Sequence, residues 1–321
     1  MRLAITGGAG FVGSNLVDAA LAAGHSVTVI DNFSTGTSRF LEHLTGDPRV
    51  TVHELDVVGD AGRLPAALDG VDAVFHLSAN ADVRYGWDNP RRDLEQNVVA
   101  THNVAEAMRA VGARRLLFSS TGSVYGTTDV IPTPEDCPFP VQTSLYGASK
   151  AAAEGFLAAY AEAGLLDVTV FRFVSIMGER YTHGHVVDFL RKLRADPARL
   201  EILGDGKQRK SYLAVRDCVA AMLHVLPPAQ PFAVFNLGVD SYCTVVESAG
   251  WICDRLGLSP RLEFGGGDRG WIGDNPFIWL DTARIRATGW TPTMTIREAV
   301  ESTVDYLVDN DWILDRVEQR V

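Results

Sequence analysis

The chain is predicted to fold as an α/β protein: a doubly wound parallel sheet with a second, smaller α+β domain. Three observations predict it. Through the first 174 residues, apolar runs of strand length alternate with stretches of helix length. A glycine-rich turn separates the first such strand from the first such helix. Beyond residue 174 the alternation loosens into shorter pieces. The expected division is residues 1–174 and 175–321, with the chain crossing between the two.

The elements follow in order. Strand-like runs occupy residues 2–6, 26–31, 50–56, 73–78, 115–120 and 168–173. They are rich in Val, Leu, Ile and Phe, as strands covered on both faces should be. Helix-like stretches lie at 11–23, 93–111 and 146–164, long enough for right-handed crossovers. In the second part, helices are expected at 186–195, 216–226, 244–256 and 295–309. A hairpin-like piece is expected at 201–206, and Gly265-Gly266-Gly267 reads as a loop.

Composition narrows the class. Hydrophobic residues make up 46 % and charged residues 21 %, ordinary values for a globular protein. A net charge of −11 without any Lys/Arg run argues against nucleic acid as a partner. No stretch approaches the roughly 20 apolar residues that cross a bilayer, and no charged-then-apolar leader opens the chain. No membrane contact and a cytoplasmic location are therefore expected. Cys137, Cys218, Cys243 and Cys253 are scattered, without a CxxC pair. His76, His183 and His185 lack a nearby carboxylate cluster, so no metal is expected.

The turn Thr6-Gly7-Gly8-Ala9-Gly10-Phe11-Val12-Gly13 satisfies G-x-G-x-x-G through Gly8, Gly10 and Gly13. It also satisfies G-x-x-G-x-x-G through Gly7, Gly10 and Gly13. Such glycines allow a tight turn and close approach of backbone to a pyrophosphate, whose charge the helix N-terminus favours. This is the Rossmann arrangement. Asp31 ends the second strand, where a carboxylate accepts the ribose hydroxyls of NAD and repels the 2′-phosphate of NADP. NAD is the expected cofactor. Asp56, which closes the third strand, either meets the adenine or serves as a turn residue.

Tyr146-Gly147-Ala148-Ser149-Lys150 opens a helical stretch, and a spacing of four puts Tyr146 and Lys150 on one face. A tyrosine hydroxyl, with a reference pKa of about 10, becomes a useful base only beside a cation. Lys150 is that cation. Elsewhere such a pair is usually a surface pair; here its place in the βα order favours catalysis. Ser119-Ser120-Thr121-Gly122-Ser123 ends the fifth strand, at the edge where parallel sheets bind ligands. Its hydroxyls either meet a substrate oxygen or satisfy the turn's own backbone.

Together with Asp31-Asn32-Phe33-Ser34-Thr35-Gly36 and His76-Leu77-Ser78-Ala79-Asn80-Ala81, these motifs resemble the extended short-chain dehydrogenase/reductase family. The resemblance is to its nucleotide-sugar epimerase/dehydratase branch. It runs nearly end to end, and further segments at 204–212, 235–238 and 269–274 also match. It implies cofactor contacts from Gly7, Gly10, Phe11, Val12, Gly13, Asp31, Asn32, Ser34, Gly36, Asp56, Val57, Leu77, Ser78, Ala79, Tyr146 and Lys150. It implies Thr121, Tyr146 and Lys150 as catalytic residues. Substrate contacts would come from Ala81, Thr121, Gly122, Ser123, Ser175, Lys210 and Arg269. Lys210 stands where the family more often has Arg, and Ser175 where it commonly has Asn. The implied partner is a UDP-sugar, and the assembly a homodimer through the helices at 93–111 and 146–164.

The resemblance implies oxidation at sugar C4, followed by one of several outcomes. The 4-keto sugar can be reduced on its other face, giving the 4-epimer. Water can instead leave across C5–C6 with hydride returned to C4, giving a 5,6-ene sugar. A 4,6-dehydratase is not expected, because Gly122-Ser123 replaces the Asp-Glu pair that would protonate the leaving hydroxyl. Uronate-specific relatives place an Arg near position 182, which is Thr here, so a C6 carboxylate is not expected either. Gly122-Ser123, the Ser175 segment and the chain length lean toward a UDP-N-acetylglucosamine 5,6-dehydratase of tunicamycin-type antibiotic biosynthesis. Glu179 and Ser123 are its candidates for work at C5 or C6. A UDP-hexose 4-epimerase is the near-even alternative, and a non-catalytic NAD-sensing protein the distant one.

Overall fold

In the central sheet, every strand is parallel to its neighbours. The computed structural model describes residues 1–81, 86–138, 141–227, 230–270 and 274–316. Seven strands run in the order β7-β6-β5-β4-β1-β2-β3: β1 (Arg2–Thr6), β2 (Ser26–Asp31), β3 (Val50–Glu54), β4 (Ala73–His76), β5 (Arg115–Thr121), β6 (Asp167–Phe173) and β7 (Phe232–Leu237). The register pairs Thr6 with Ile30 and His76, and Thr121 with Phe173, so the carboxyl ends of these strands share one edge. The order reverses between β1 and β4, which opens a crevice at that edge.

Period-two alternation feeds two cores. Leu3, Ile5, Val29, Phe75 and Leu117 pack on one face, with Leu16 and Val17 of α1 (Phe11–Ala22). Ala4, Ile30, Val74, Leu116 and Phe118 pack on the other. There they meet Val104 and Met108 of α2 (Ala100–Val111), and Ala153 and Leu157 of α3 (Leu145–Glu162). Each fully buried Leu or Val contributes about 1.5–3 kcal/mol relative to exposure.

The expected helix at 93–111 is not uniform. Pro90–Asp93 is a single α-turn, and Leu94–Val99 winds with π geometry before α2 begins. Where it widens, Thr101 Oγ1 donates to the Asn97 carbonyl at 2.6 Å, and the Asn97 side chain is buried.

The second part is built from short pieces. Ser175–Met177 runs parallel to Tyr212–Ala214. Arg209–Lys210 lies between Cys243–Thr244 and Phe277–Ile278. The hairpin expected at 201–206 is not formed. Arg199–Ile202 instead pairs in parallel with Arg261–Phe264, while Gly204 and Gly206, at φ +74° and +76°, turn the chain away. Around these strands lie α4 (His185–Ala195), α5 (Val215–His224), α6 (Val245–Leu256) and α7 (Ile296–Asp309). Capping boxes start α6 at Thr244/Glu247 and α7 at Thr295/Glu298. Such a cap is worth about 1 kcal/mol. β7 returns from this part to the edge of the main sheet, beside β6. No helix among the described residues is long and apolar enough to cross a membrane.

Candidate active site

The turn between β1 and α1 is closed by Gly7 N donating to the Ile30 carbonyl (2.8 Å) and Gly10 N to the Gly7 carbonyl (3.1 Å). Gly7 has φ +69°, and a Cβ on Gly13 would stand 2.0 Å from the Gly7 oxygen. Neither position tolerates a side chain. Gly10 caps α1 without any side-chain bond, so the first turn of the helix keeps its N–H groups open to a ligand. Phe11 is buried against Tyr181 and Val12 is half-buried.

Asp31 sits beside this turn. Its Oδ2 accepts from Ala9 N (2.9 Å) and its Oδ1 from Phe33 N (2.8 Å). Burial raises its pKa despite both bonds. Each oxygen keeps a lone pair for a further donor. Gly36 lies over the turn, where a Cβ would meet Ala9 and the Asp31 carboxylate at 3.0 Å. Asn32 Nδ2 donates to Asp56 (2.7 Å), and Ser34 donates to Asn32 Oδ1. Asp56 also accepts from Val58 N and Gly59 N, so it holds its own turn; Val57 is buried. Phe33, Gly36, Thr37, Ser38, Val52 and Glu54 line an open cleft of about 590 Å³ on this side.

His76 closes the opposite wall. Its Nδ1 lies 2.7 Å from Thr6 Oγ1, and its Nε2 3.1 Å from Thr101 Oγ1. The Thr101 hydroxyl already donates to Asn97, so it must accept from His76. That fixes a neutral imidazole with its proton on Nε2. Burial, with the Lys150 charge, holds its pKa down at about 3. Thr6 Oγ1 in turn accepts from the amides of Leu77 and Ser78 at 3.2 Å. Leu77, Ser78 and Ala79 are half-buried there, and Ala81 is exposed. Among the described residues, no group of three His, Cys, Asp or Glu could hold a metal ion.

Thr121 ends β5 and caps the turn Gly122–Tyr125 by accepting from Ser123 N (3.1 Å). Its hydroxyl donates to Ser123 Oγ (3.2 Å) and lies close enough to the Tyr146 phenol to lower its pKa. Ser144 caps α3, accepting from Gly147 N (3.0 Å), and so starts the helix that carries Tyr146 and Lys150. Burial pushes the Tyr146 phenol up to about 12, Thr121 pulls it down, and the Asp93 charge raises it. Lys150 is buried, donates to the Ser119 carbonyl (2.9 Å) and lies 4.7 Å from the centre of the Phe118 ring. Burial lowers its pKa to about 7, against the opposing pull of Glu154 and Asp93. Before any ligand enters, the phenol is therefore neutral at physiological pH.

Two buried polar groupings were not foreseen from the sequence. Asn97 Nδ2 donates to Ser149 Oγ (2.8 Å), which donates to the Tyr146 carbonyl (2.8 Å). Asn80 N donates to Asn97 Oδ1 (2.9 Å), and Asn80 Nδ2 to Asp93 (2.9 Å). Behind β5, Glu154 accepts from Arg172 (2.7 Å) and from the Ser120 hydroxyl, while Arg172 also reaches the Tyr125 phenol (2.7 Å). The signal was available: Arg172 interrupts an apolar central strand, and a buried cation demands a partner. Glu154 stands one helical turn beyond Lys150.

In the second part, Lys210 donates to Asp274 Oδ1 (2.8 Å) and to the Asn275 carbonyl. Arg269 Nη1 donates to the Asp274 carbonyl (2.9 Å). Residues 271–273 of the motif at 269–274 lie outside the described residues. Ser175 is exposed and pairs with Tyr212. Glu179 is an exposed partner of Arg216 (3.2 Å).

The profile of the NAD dependent epimerase/dehydratase family matches residues 3–238. The chain belongs to this family. A UDP-glucose 4-epimerase of Mycolicibacterium smegmatis is 33% identical over 95% of this chain and 98% of its own length. A crystal structure of a UDP-galactose 4-epimerase superposes with a TM-score of 0.86 at 38% identity, over 97% of this chain and 100% of that one. A dTDP-glucose 4,6-dehydratase of Streptomyces venezuelae, solved with NAD, gives 0.88 at 27% identity, over 97% and 98%. The chain is thus an NAD-dependent enzyme of the nucleotide-sugar epimerase/dehydratase kind. Its glycine turn fits that cofactor: the space a Cβ would fill at Gly7 and Gly13 is already backbone, and the open amides of α1 face the turn.

Proposed function

We propose that this family member is a UDP-hexose 4-epimerase, working through a 4-keto sugar. The observation that carries the reading is the hydroxyl set Thr121, Ser123 and Tyr146 at the end of β5. Epimerisation asks the protein to move only the C4 hydroxyl proton. Tyr146 accepts it, Thr121 shares the hydrogen bond, and Lys150 supplies positive charge nearby. NAD, held by the glycine turn and Asp31, would supply reversible hydride transfer at C4. Lys210 and Arg269 would meet the diphosphate, and Gly122 and Ser175 would border the sugar. The proposed division keeps NAD on residues 1–174 and the nucleotide sugar on 175–321, with the sugar ring reaching across to Thr121, Gly122 and Tyr146.

This reverses the lean toward 5,6-elimination. Elimination also needs a base at C5 and an acid at C6. Of its two candidates, the Glu179 carboxylate is paired with Arg216 at the surface and the Ser123 hydroxyl is bonded to Thr121. The match in length and sequence to UDP-glucose and UDP-galactose 4-epimerases further supports the epimerase. The guanidinium of Arg180, two residues before Thr182, is held by Asp18 at 2.6 Å, which suits an uncharged C6 better than a carboxylate.

The test is incubation with UDP-galactose, UDP-glucose and UDP-N-acetylglucosamine, followed by NMR. A C4 epimer is expected, without net NADH release. An olefinic C6 signal would overturn the reading in favour of elimination. No change in any of the three would remove both. We also propose a cytoplasmic homodimer, since Leu94 and Phe156 expose about half of their surface on adjacent helical segments. Light scattering of the eluted protein checks the dimer.

A further inference from the structure

The last described turn, Trp312–Asp315, is docked from several sides. The Arg39 guanidinium lies 4.1 Å above the Trp312 ring. Arg191 donates to the carbonyls of Leu314 (2.8 Å) and Arg316 (2.7 Å), and Arg194 pairs with Asp315. From this anchor Arg316 reaches the loop after β2. Its Nη2 donates to the carbonyls of Thr35 (3.0 Å) and Gly36 (3.2 Å). Its Nη1 is buried without a partner, and no carboxylate among the described residues pairs with it. A guanidinium so placed loses hydration that two carbonyls only partly replace. The arrangement is therefore a constraint on the loop rather than a gain for the terminus.

That loop is where the arginine has an effect. Thr37 N donates to the Ala9 carbonyl (3.0 Å), and Gly36 packs on Ala9 and the Asp31 carboxylate without room for a Cβ. Holding the Thr35 and Gly36 carbonyls holds the wall of the crevice beside Asp31. We infer that Arg316 is a positioning residue for NAD, by which the docked C-terminal turn keeps the Thr35–Gly36 loop closed over the cofactor's adenosine side. The inference rests on the reading that Asp31 and the glycine turn bind that side.

The experiment uses the full chain purified with NAD. Retained NAD is measured after exhaustive gel filtration, and the dissociation constant for NAD by titration of the stripped protein. Arg316→Ala should release NAD about ten-fold more readily, with the kinetic effect falling on KM for added NAD rather than on kcat. Arg316→Lys, which restores a cation without the planar fork, should recover part of the loss. Arg194→Ala breaks an exposed pair of the same turn and should leave NAD retention within two-fold of the parent. Asp31→Ala should lose NAD whatever residue stands at 316. Arg316→Ala retaining NAD like the parent, while Asp31→Ala loses it, overturns the inference alone. Asp31→Ala retaining NAD overturns the cofactor-site reading beneath it. A lowered melting temperature in Arg316→Ala with unchanged NAD affinity marks a merely structural arginine, which also overturns the inference.

Discussion

In the sheet half, Asp31 and Thr121 end strands whose neighbours lie in parallel register on both sides, and Lys150 stands on the helix α3 packed against that sheet. Lys150 is further fixed by the Ser119 carbonyl, and Glu154 and Arg172 brace the layer behind it. In the other half, Lys210 sits on a two-residue strand, and its position is set by Asp274 and Asn275 across a loop. The register of the sheet thus supports the layer on which the groups proposed for chemistry rest, whereas side-chain bonds across a loop hold those proposed for the nucleotide. Substitutions in the first half should act on turnover, and those in the second on substrate affinity.

The strongest way to break this contrast is Tyr146→Phe. It removes one hydroxyl and leaves α3, its Ser144 cap and the Lys150 contact in place. We expect kcat to fall about 10²–10⁴-fold, the scale of a lost acid/base group, with NAD still bound. Single-turnover assays and analysis of bound nucleotide check both parts. A variant that keeps its kcat and loses substrate affinity would invert the contrast.

Much of the first half was legible in the sequence. Most strands carry a clear apolar run, although Arg172 interrupts β6, and the glycine turn marks a tight strand-to-helix crossing. The second half was less so. A strand of two residues, such as Arg209–Lys210, leaves no periodicity to detect. The parallel partner of Arg199–Ile202 lies some 60 residues away, and local turn chemistry suggested a hairpin instead. The placement of Tyr146 and Lys150 one turn apart on one helix was legible from their spacing. The state of that pair was not, because Asp93, Ser119 and Glu154 reach it from three different elements. Spacing along one helix says nothing of groups brought in by others.

The pH dependence of stability tests whether both halves are equally dry inside. Burial holds His76 at about 3 and His185, packed on Tyr212 and bonded to Ser248, at about 4. The unfolded chain protonates each near 6.5. Below that pH the unfolded state binds protons the folded state refuses, so stability falls as pH falls toward 3–4 and is level above 6.5 with respect to these groups. Each histidine should remove about 2 kcal/mol between pH 7.5 and 5. Urea midpoints at pH 7.5 and 5.0 for the parent, His76→Gln and His185→Gln should show a shallower loss in each variant. An unchanged loss in one of them would mean that its half admits water or a counter-charge.

Arg269→Ala sharpens the substrate side. Its guanidinium is exposed apart from one bond to the Asp274 carbonyl, so the fold should tolerate its removal. We expect KM for the UDP-sugar to rise about ten-fold, the effect of one charge-assisted contact with the diphosphate. Initial rates across a substrate series read it directly.

The smallest effect belongs to the neighbour that faces away. Arg209 precedes Lys210 on the same short strand, and successive side chains of a strand point to opposite faces. Lys210 reaches inward to Asp274, whereas Arg209 lies 3.7 Å over the Phe277 ring, with Tyr242 beyond. Arg209→Ala should lower the melting temperature slightly, as the loss of an exposed cation–π contact worth about 0.5–1 kcal/mol predicts. KM should change less than two-fold. If it instead rises as far as in Arg269→Ala, net charge near the diphosphate, rather than the face each cation occupies, governs binding in this half. The contrast between a register-built site and a side-chain-built one would then fail where its strands are shortest.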